Sequence, residues 1–260
     1  MPTVHLNHSH IHYEFDESAG ADKPVLVLSN SLGTSMAMWE PQRPLSAHYR
    51  VLRYDTRGHG GSSSEPGPYT MAQLGQDVIA LMDHLGIAKA HFCGLSMGGM
   101  VGMHLAIHAP QRFDKLVLAN TNAFTASPEF WQKRIATLIE QDGIASIADG
   151  VMVRFFSPTF ASQHPDTVAR FKADMLATSL TGYTACCAAI RDMDFRAGLP
   201  SLKHPVLVIV GNKDQAAPPE QGHFLASQVQ SGAVLALDAA HISNVEAADA
   251  FSQAVRRFLG

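Results

Sequence analysis

Residues 91–100 read His91-Phe-Cys93-Gly94-Leu-Ser96-Met-Gly98-Gly99-Met100. An apolar run stops at Cys93, one serine stands between glycines, and a helical apolar pattern follows to about His108, with Pro110 just beyond. The spacing Gly94-x-Ser96-x-Gly98 is that of a nucleophile elbow, a sharp strand-to-helix turn that lifts a serine hydroxyl out of the chain. Glycines suit both flanks because the turn is tight and the helix passes close to the strand. The serine then sits at a helix N-terminus, where the dipole favours developing negative charge. Five residues with three fixed positions can arise by chance, so the rest of the chain has to supply the context.

Working outward, short β-rich runs alternate with helical patterns. Val25–Leu28, Val51–Tyr54, His91–Cys93, Leu116–Ala119, Val206–Val210 and Val234–Leu237 have strand character. Several are continuously apolar, as strands covered on both faces of a parallel sheet should be. Val4–Leu6 and Ser9–Phe15, around an Asn7-His8 turn, predict an antiparallel edge hairpin. Thr70 with Gln73 forms a capping box for a helix carrying Met71, Leu74, Val78, Leu81 and Leu85, which Gly86 ends. A last helix is expected from about Val245 to Leu259. The alternation breaks between about Asn122 and Leu199, where the pattern is helical. The expected architecture is therefore α/β: an eight-stranded, mostly parallel sheet with helices on both faces, built from residues 1–121 and 200–260. A helical cap, 122–199, is inserted after the sixth strand.

The chain of 260 residues is 46% hydrophobic and 16% charged, with a formal net charge of −4. No basic stripe points to nucleic acid, and no stretch approaches the apolar length of a membrane span. The N-terminal residues show no cationic region followed by an apolar run, so no secretory signal is expected. Three cysteines, two of them adjacent (Cys186 and Cys187), argue against a disulfide framework and for a reducing, cytoplasmic setting.

A serine nucleophile needs a base held by a carboxylate, and on this elbow scaffold the chain order is serine, acid, histidine. Asp214 follows the strand Val206–Val210, and His241 follows Val234–Leu237. Both lie at the strand ends where parallel sheets bind ligands, as Ser96 does. Asp238 is a rival acid, but it stands only three residues from His241 at the end of the preceding strand. An oxyanion hole needs two backbone N–H groups. Met97, just after the nucleophile, and Leu32, in the loop Ser29-Asn-Ser-Leu-Gly-Thr34, are the expected donors.

Other features read as structural. The stretch Arg53–Ser62 is a turn held by Asp55 and Arg57. The histidines 5, 8, 10 and 12 mark an exposed hairpin face rather than a metal site, and Cys186-Cys187 are two small core residues on a cap helix.

Gly94–Gly99, Tyr54-Asp-Thr-Arg-Gly-His-Gly60, Gly211-Asn-Lys-Asp214 and His241 together resemble the α/β-hydrolase superfamily over essentially the whole chain. Asn30-Ser31, Met38-Trp-Glu-Pro-Gln42 and His241-Ile-Ser-Asn-Val-Glu246 more closely resemble the 3-oxoadipate enol-lactonases of bacterial aromatic catabolism. Most relatives carry His-Gly where this chain has Asn30-Ser31. The resemblance implies a cytoplasmic serine hydrolase, without cofactor or metal, that opens an anionic enol-lactone to 3-oxoadipate through a Ser-His-Asp triad. Other readings of the same scaffold are a different carboxylesterase or lactonase, a carbon–carbon bond hydrolase, and a slowly turning over ligand receptor.

A lactone with an acetate arm would need a cation in its pocket, because an unpaired buried carboxylate is costly. Trp131 and Arg134 stand three apart at the start of the first cap helix and share a face, which makes them the expected substrate-binding pair. Arg154 and Arg191 are the rival cap cations. The oligomeric state is left open by the sequence.

Overall fold

A computed structural model describes residues 2–6, 9–141 and 143–260. Its eight strands are β1 (Thr3–Leu6), β2 (Ser9–Asp16), β3 (Val25–Ser29), β4 (Arg50–Tyr54), β5 (Ala90–Leu95), β6 (Phe113–Ala119), β7 (Val206–Gly211) and β8 (Gly232–Leu237). They form one sheet in the order β1-β2-β4-β3-β5-β6-β7-β8. The first two pairings, β1 with β2 and β2 with β4, are antiparallel, and the rest are parallel. This is the predicted sheet with its predicted edge hairpin. The Asn7-His8 turn lies outside the described residues.

Strands β3, β5 and β7 are buried at every position, which is why they read as unbroken apolar runs. The edge strand β8 is largely exposed, with only Leu237 buried. Helix α1 (Met71–His84) starts at the Thr70–Gln73 capping box, and α2 (Met97–His108) starts directly after Ser96 and packs on β3, β5 and β6.

Among the described residues, five α-helices run between β6 and β7: α3 (Pro128–Glu140), α4 (Ala145–Phe155), α5 (Pro158–Gln163), α6 (Pro165–Ala177) and α7 (Leu180–Asp192). Serines 127, 157 and 179 accept from the first-turn N–H groups of α3, α5 and α7, which sets those starts. Helix α8 (Pro219–Gln228) packs on β7 and β8. Among the described residues no helix is long and apolar enough to cross a membrane.

Two expectations need correction. The single last helix is two, α9 (Ser243–Glu246) and α10 (Ala248–Leu259), because Ala247 leaves the helical region at φ −123°, ψ 48°. The break lets α9 pack on residues 36–47 while α10 turns its Phe251, Val255 and Leu259 into the core. The hairpin histidines are not one exposed face either: His5 is exposed, and His8 lies outside the described residues. His10 and His12 are half-buried, and His12 Nδ1 lies 2.7 Å from Asp55 Oδ2. That carboxylate explains the burial, since Asp55 also accepts from Gly61 N and Met36 N and so anchors the turn after β4.

Candidate active site

Ser96 occupies the turn between β5 and α2 with φ 56° and ψ −116°, a conformation that non-glycine residues seldom adopt. Its neighbours hold it there. Ser96 N donates to Ala119 O at 2.9 Å, and Thr121 Oγ1 donates to Ser96 O at 2.7 Å. A Cβ on Gly98 would fall 2.1 Å from the Ser29 carbonyl oxygen. Only glycine lets the first turn of α2 press so closely on the end of β3.

His241 lies in the loop after β8, and its Nδ1 donates to Asp214 Oδ2 at 2.9 Å. The remaining lone pairs of Asp214 are filled. Ala216 N and Ala217 N donate to Oδ1 at 2.8 and 2.9 Å, and Asn120 Nδ2 donates to Oδ2 at 2.9 Å. Burial alone would push the Asp214 carboxyl up. The facing His241 and these N–H donors outweigh it and hold the group below its ordinary value. The aspartate is thus an ionised orienter that fixes which ring nitrogen of His241 carries the proton. The rival Asp238 is exposed and pairs with Lys213 at 2.8 Å.

Three supporting residues are given no role by the sequence. Asn120, at φ 47° just past β6, joins Asp214 to the Ala240 carbonyl and accepts from Ser243 Oγ. Its signal was a polar residue at the C-terminal end of a central strand. Phe155, at the end of α4, stacks on the His241 ring with centroids 5.5 Å apart. Glu246 Oε2 accepts from Ala240 N and from Ser157 N, each at 3.1 Å, which ties the His241 loop to the cap. The stretches Met38–Gln42 and His241–Glu246, far apart in sequence, meet here. Asn244 Nδ2 donates to Met38 O and to Gln42 Oε1, and Gln42 Nε2 returns a bond to Asn244 O. Trp39 Nε1 donates to Asn30 Oδ1, whose own amide donates to Tyr54 O.

A cavity of ≈ 270 Å³ lies between sheet and cap. Ser31, Leu32, Ser96 and His241 line it from below, and Trp131, Arg134, Arg154 and Phe155 line it from the cap. Among the described residues neither Leu32 N–H nor Met97 N–H finds an acceptor in the protein, so both remain free for a ligand oxygen.

Arg134 Cζ lies 4.9 Å from the Phe130 ring centroid and 5.8 Å from that of Trp131, and its Nη1 reaches Tyr183 Oη at 3.4 Å. Arg154 approaches the same Phe130 ring at 5.8 Å. Among the described residues neither guanidinium meets a carboxylate. Burial, and then the neighbouring Arg134, push Arg154 below its ordinary value. Arg191 stands apart, bonded to Asp192 and Gln132 outside the cavity. Chemically, the arrangement offers a serine hydroxyl, a histidine base with a buried carboxylate behind it, two free backbone donors, and a cationic aromatic wall.

Residues 24–248 match the model of the alpha/beta hydrolase fold family. The chain is 44% identical over 236 residues to 3-oxoadipate enol-lactonase 2 of Acinetobacter baylyi, covering 90% of this chain and 88% of that protein. It is 30% identical over 256 residues to a putative carbamate hydrolase, RutD, of Agrobacterium fabrum, covering 96% and 98% of the two chains. Among solved structures, the enol-lactonase from Burkholderia xenovorans superposes with a TM-score of 0.96 at 45% identity, covering 99% of each chain.

Proposed function

The chain belongs to the alpha/beta hydrolase fold family, and on that premise we propose that it is a serine hydrolase that opens 3-oxoadipate enol-lactone. The carrying observation is that Ser96 and His241, the latter bonded to Asp214, open onto the same cavity as two guanidinium groups that meet no carboxylate among the described residues. In the proposed reaction His241 Nε2 takes the Ser96 Oγ proton as Oγ attacks the lactone carbonyl. The developing oxyanion is received by Leu32 N–H and Met97 N–H. Collapse breaks the ring C–O bond, and His241 returns the proton to the departing enol oxygen, which tautomerises to a ketone. Water, deprotonated by His241, then attacks the Ser96 ester and releases 3-oxoadipate, regenerating Ser96 as the proton returns to its oxygen. Arg134, flanked by Trp131, holds the acetate carboxylate, because a planar guanidinium can hold a carboxylate through two hydrogen bonds.

In this reading residues 122–199 are the cap that supplies substrate contacts, and the setting is the cytoplasmic catabolism of aromatic compounds. The 30%-identical putative carbamate hydrolase supports a second reading, hydrolysis of a small carbamate. Two arginines without a carboxylate partner among the described residues favour an anionic substrate over a neutral carbamate ester, and the lactone's acetate arm supplies the anion. Turnover of 3-oxoadipate enol-lactone, a neutral p-nitrophenyl ester and a small carbamate by one preparation tests this. The proposal expects the lactone to have by far the highest kcat/KM, and it fails if the carbamate or the neutral ester does.

A further inference from the structure

The loop after β3 holds more than the N–H of Leu32. A peptide unit is planar and trans, so the Ser31 carbonyl and the Leu32 N–H share one plane and point opposite ways. Whatever grips that carbonyl aims that N–H. Thr34 Oγ1 donates to Ser31 O at 2.8 Å, and Thr34 N reaches the same oxygen at 3.3 Å. Thr34 is fully buried, and Ser31 N in turn rests on Met38 Sδ at 3.3 Å.

The next peptide unit, Leu32–Gly33, is gripped from another part of the chain. Gly33 N donates to His59 Nε2 at 2.9 Å. The other ring nitrogen of His59 lies 3.2 Å from Arg57 O, which can only accept. Nδ1 therefore carries the proton, and Nε2 presents a lone pair to Gly33. Burial pushes this imidazole down to about 4, so it is neutral at ordinary pH and keeps that lone pair. Hence both planes flanking the Leu32 Cα are anchored, one by Thr34 and one by His59. Turning either plane would break a buried hydrogen bond; it would leave the His59 lone pair unsatisfied and the Thr34 hydroxyl with only the weaker acceptor Met38 Sδ, 3.0 Å away.

We propose that Thr34 and His59 are positioning residues of the oxyanion hole, fixing the two peptide planes around Leu32 so that its N–H faces the cavity before substrate arrives. This extends the proposed function and rests on its reading of Leu32 as a donor. It also gives the turn Arg53–Ser62, which the sequence marks as purely structural, a part in the reaction. The Thr34 bond does a second thing. A carbonyl that accepts a hydrogen bond polarises its peptide and strengthens the N–H at the other end as a donor.

Four variants test the proposal. Thr34→Val keeps the shape and loses the hydroxyl, while Thr34→Ser keeps the hydroxyl. His59→Leu removes the acceptor, and His59→Gln retains one. Outright loss of an oxyanion donor costs about a hundredfold or more, so mis-aiming it through Thr34→Val should lower kcat about tenfold with KM unchanged. Thr34→Ser should restore kcat, and His59→Gln should exceed His59→Leu. A crystal structure of the wild type phosphonylated at Ser96 by a fluorophosphonate shows separately whether Leu32 N–H holds the phosphonyl oxygen. If it does not, the Leu32 reading fails and takes this proposal with it. If Leu32 donates but Thr34→Val turns over like the wild type, the proposal alone is overturned. It is also overturned if kcat, KM and thermal stability all worsen together and Thr34→Ser rescues none of them, because the hydroxyl then serves only the fold.

Discussion

Arg134 and Arg154, from two different cap helices, both approach the ring of Phe130, at 4.9 and 5.8 Å, and face the cavity that holds Ser96. Two like charges so placed repel, which is part of what depresses Arg154. A bound anion relieves that repulsion. Arg134→Ala should therefore raise KM for an anionic lactone by about tenfold to a hundredfold, the worth of a charge-assisted hydrogen bond, and barely change hydrolysis of a neutral ester. Steady-state kinetics on both substrates decide. Equal losses would assign Arg134 to the fold, and no loss on either would remove it from the binding site.

The acid is tested by a pair of conservative changes. Asp214→Asn keeps the shape but removes the carboxylate that selects the His241 tautomer, so kcat should fall by about four orders of magnitude. Asp238→Asn only breaks an exposed pair with Lys213 and should leave kcat nearly intact. The opposite ranking would reassign the acid.

Stability should depend on pH through His59. Its imidazole takes up a proton near 6.5 in an ordinary setting but only near about 4 when buried here. Between these values the unfolded chain binds more protons than the folded one, so stability falls as pH drops through that window. His104, pushed down to about 4 by burial and then by His108, adds in the same direction. Thermal melts from pH 7 to pH 4 should show a shallower decline in His59→Gln than in the wild type. Parallel declines would mean that His59 is not held neutral.

The cap meets the core through a contact with no room in it. A Cβ on Gly182 of α7 would lie 2.3 Å from the Cα of Gly58, in the turn after β4. Gly182→Ala should cost about 1–3 kcal/mol in urea unfolding, the usual range for overpacking. An unchanged midpoint would show that the two segments part easily.

The Ser96 turn, the parallel strands and the strand-end placement of Asp214 and His241 were legible because each has a local signature: an apolar run ended by glycine, or a polar residue at a strand end. The helices between β6 and β7 were legible as a break in the alternation, and Trp131 and Arg134 as neighbours on the first of them. Asn120 and Phe155 were not, because their parts depend on which strand ends and helix ends meet in space. The split after Glu246 was hidden for a different reason. Ala247 favours helix by propensity, yet it stands at φ −123°, ψ 48° between a short helix that packs on residues 36–47 and a longer one that packs on the core. His12 looked like one of a row of surface histidines until the antiparallel register with β4 set it beside Asp55.

The central claim is that one serine carries the hydrolysis. Treat the protein with a fluorophosphonate, map the modified peptide by mass spectrometry, and follow residual turnover of 3-oxoadipate enol-lactone as labelling proceeds. The account predicts a single label on Ser96 and a loss of lactone turnover in step with it. Labelling elsewhere, or full turnover by the Ser96-labelled protein, would contradict it.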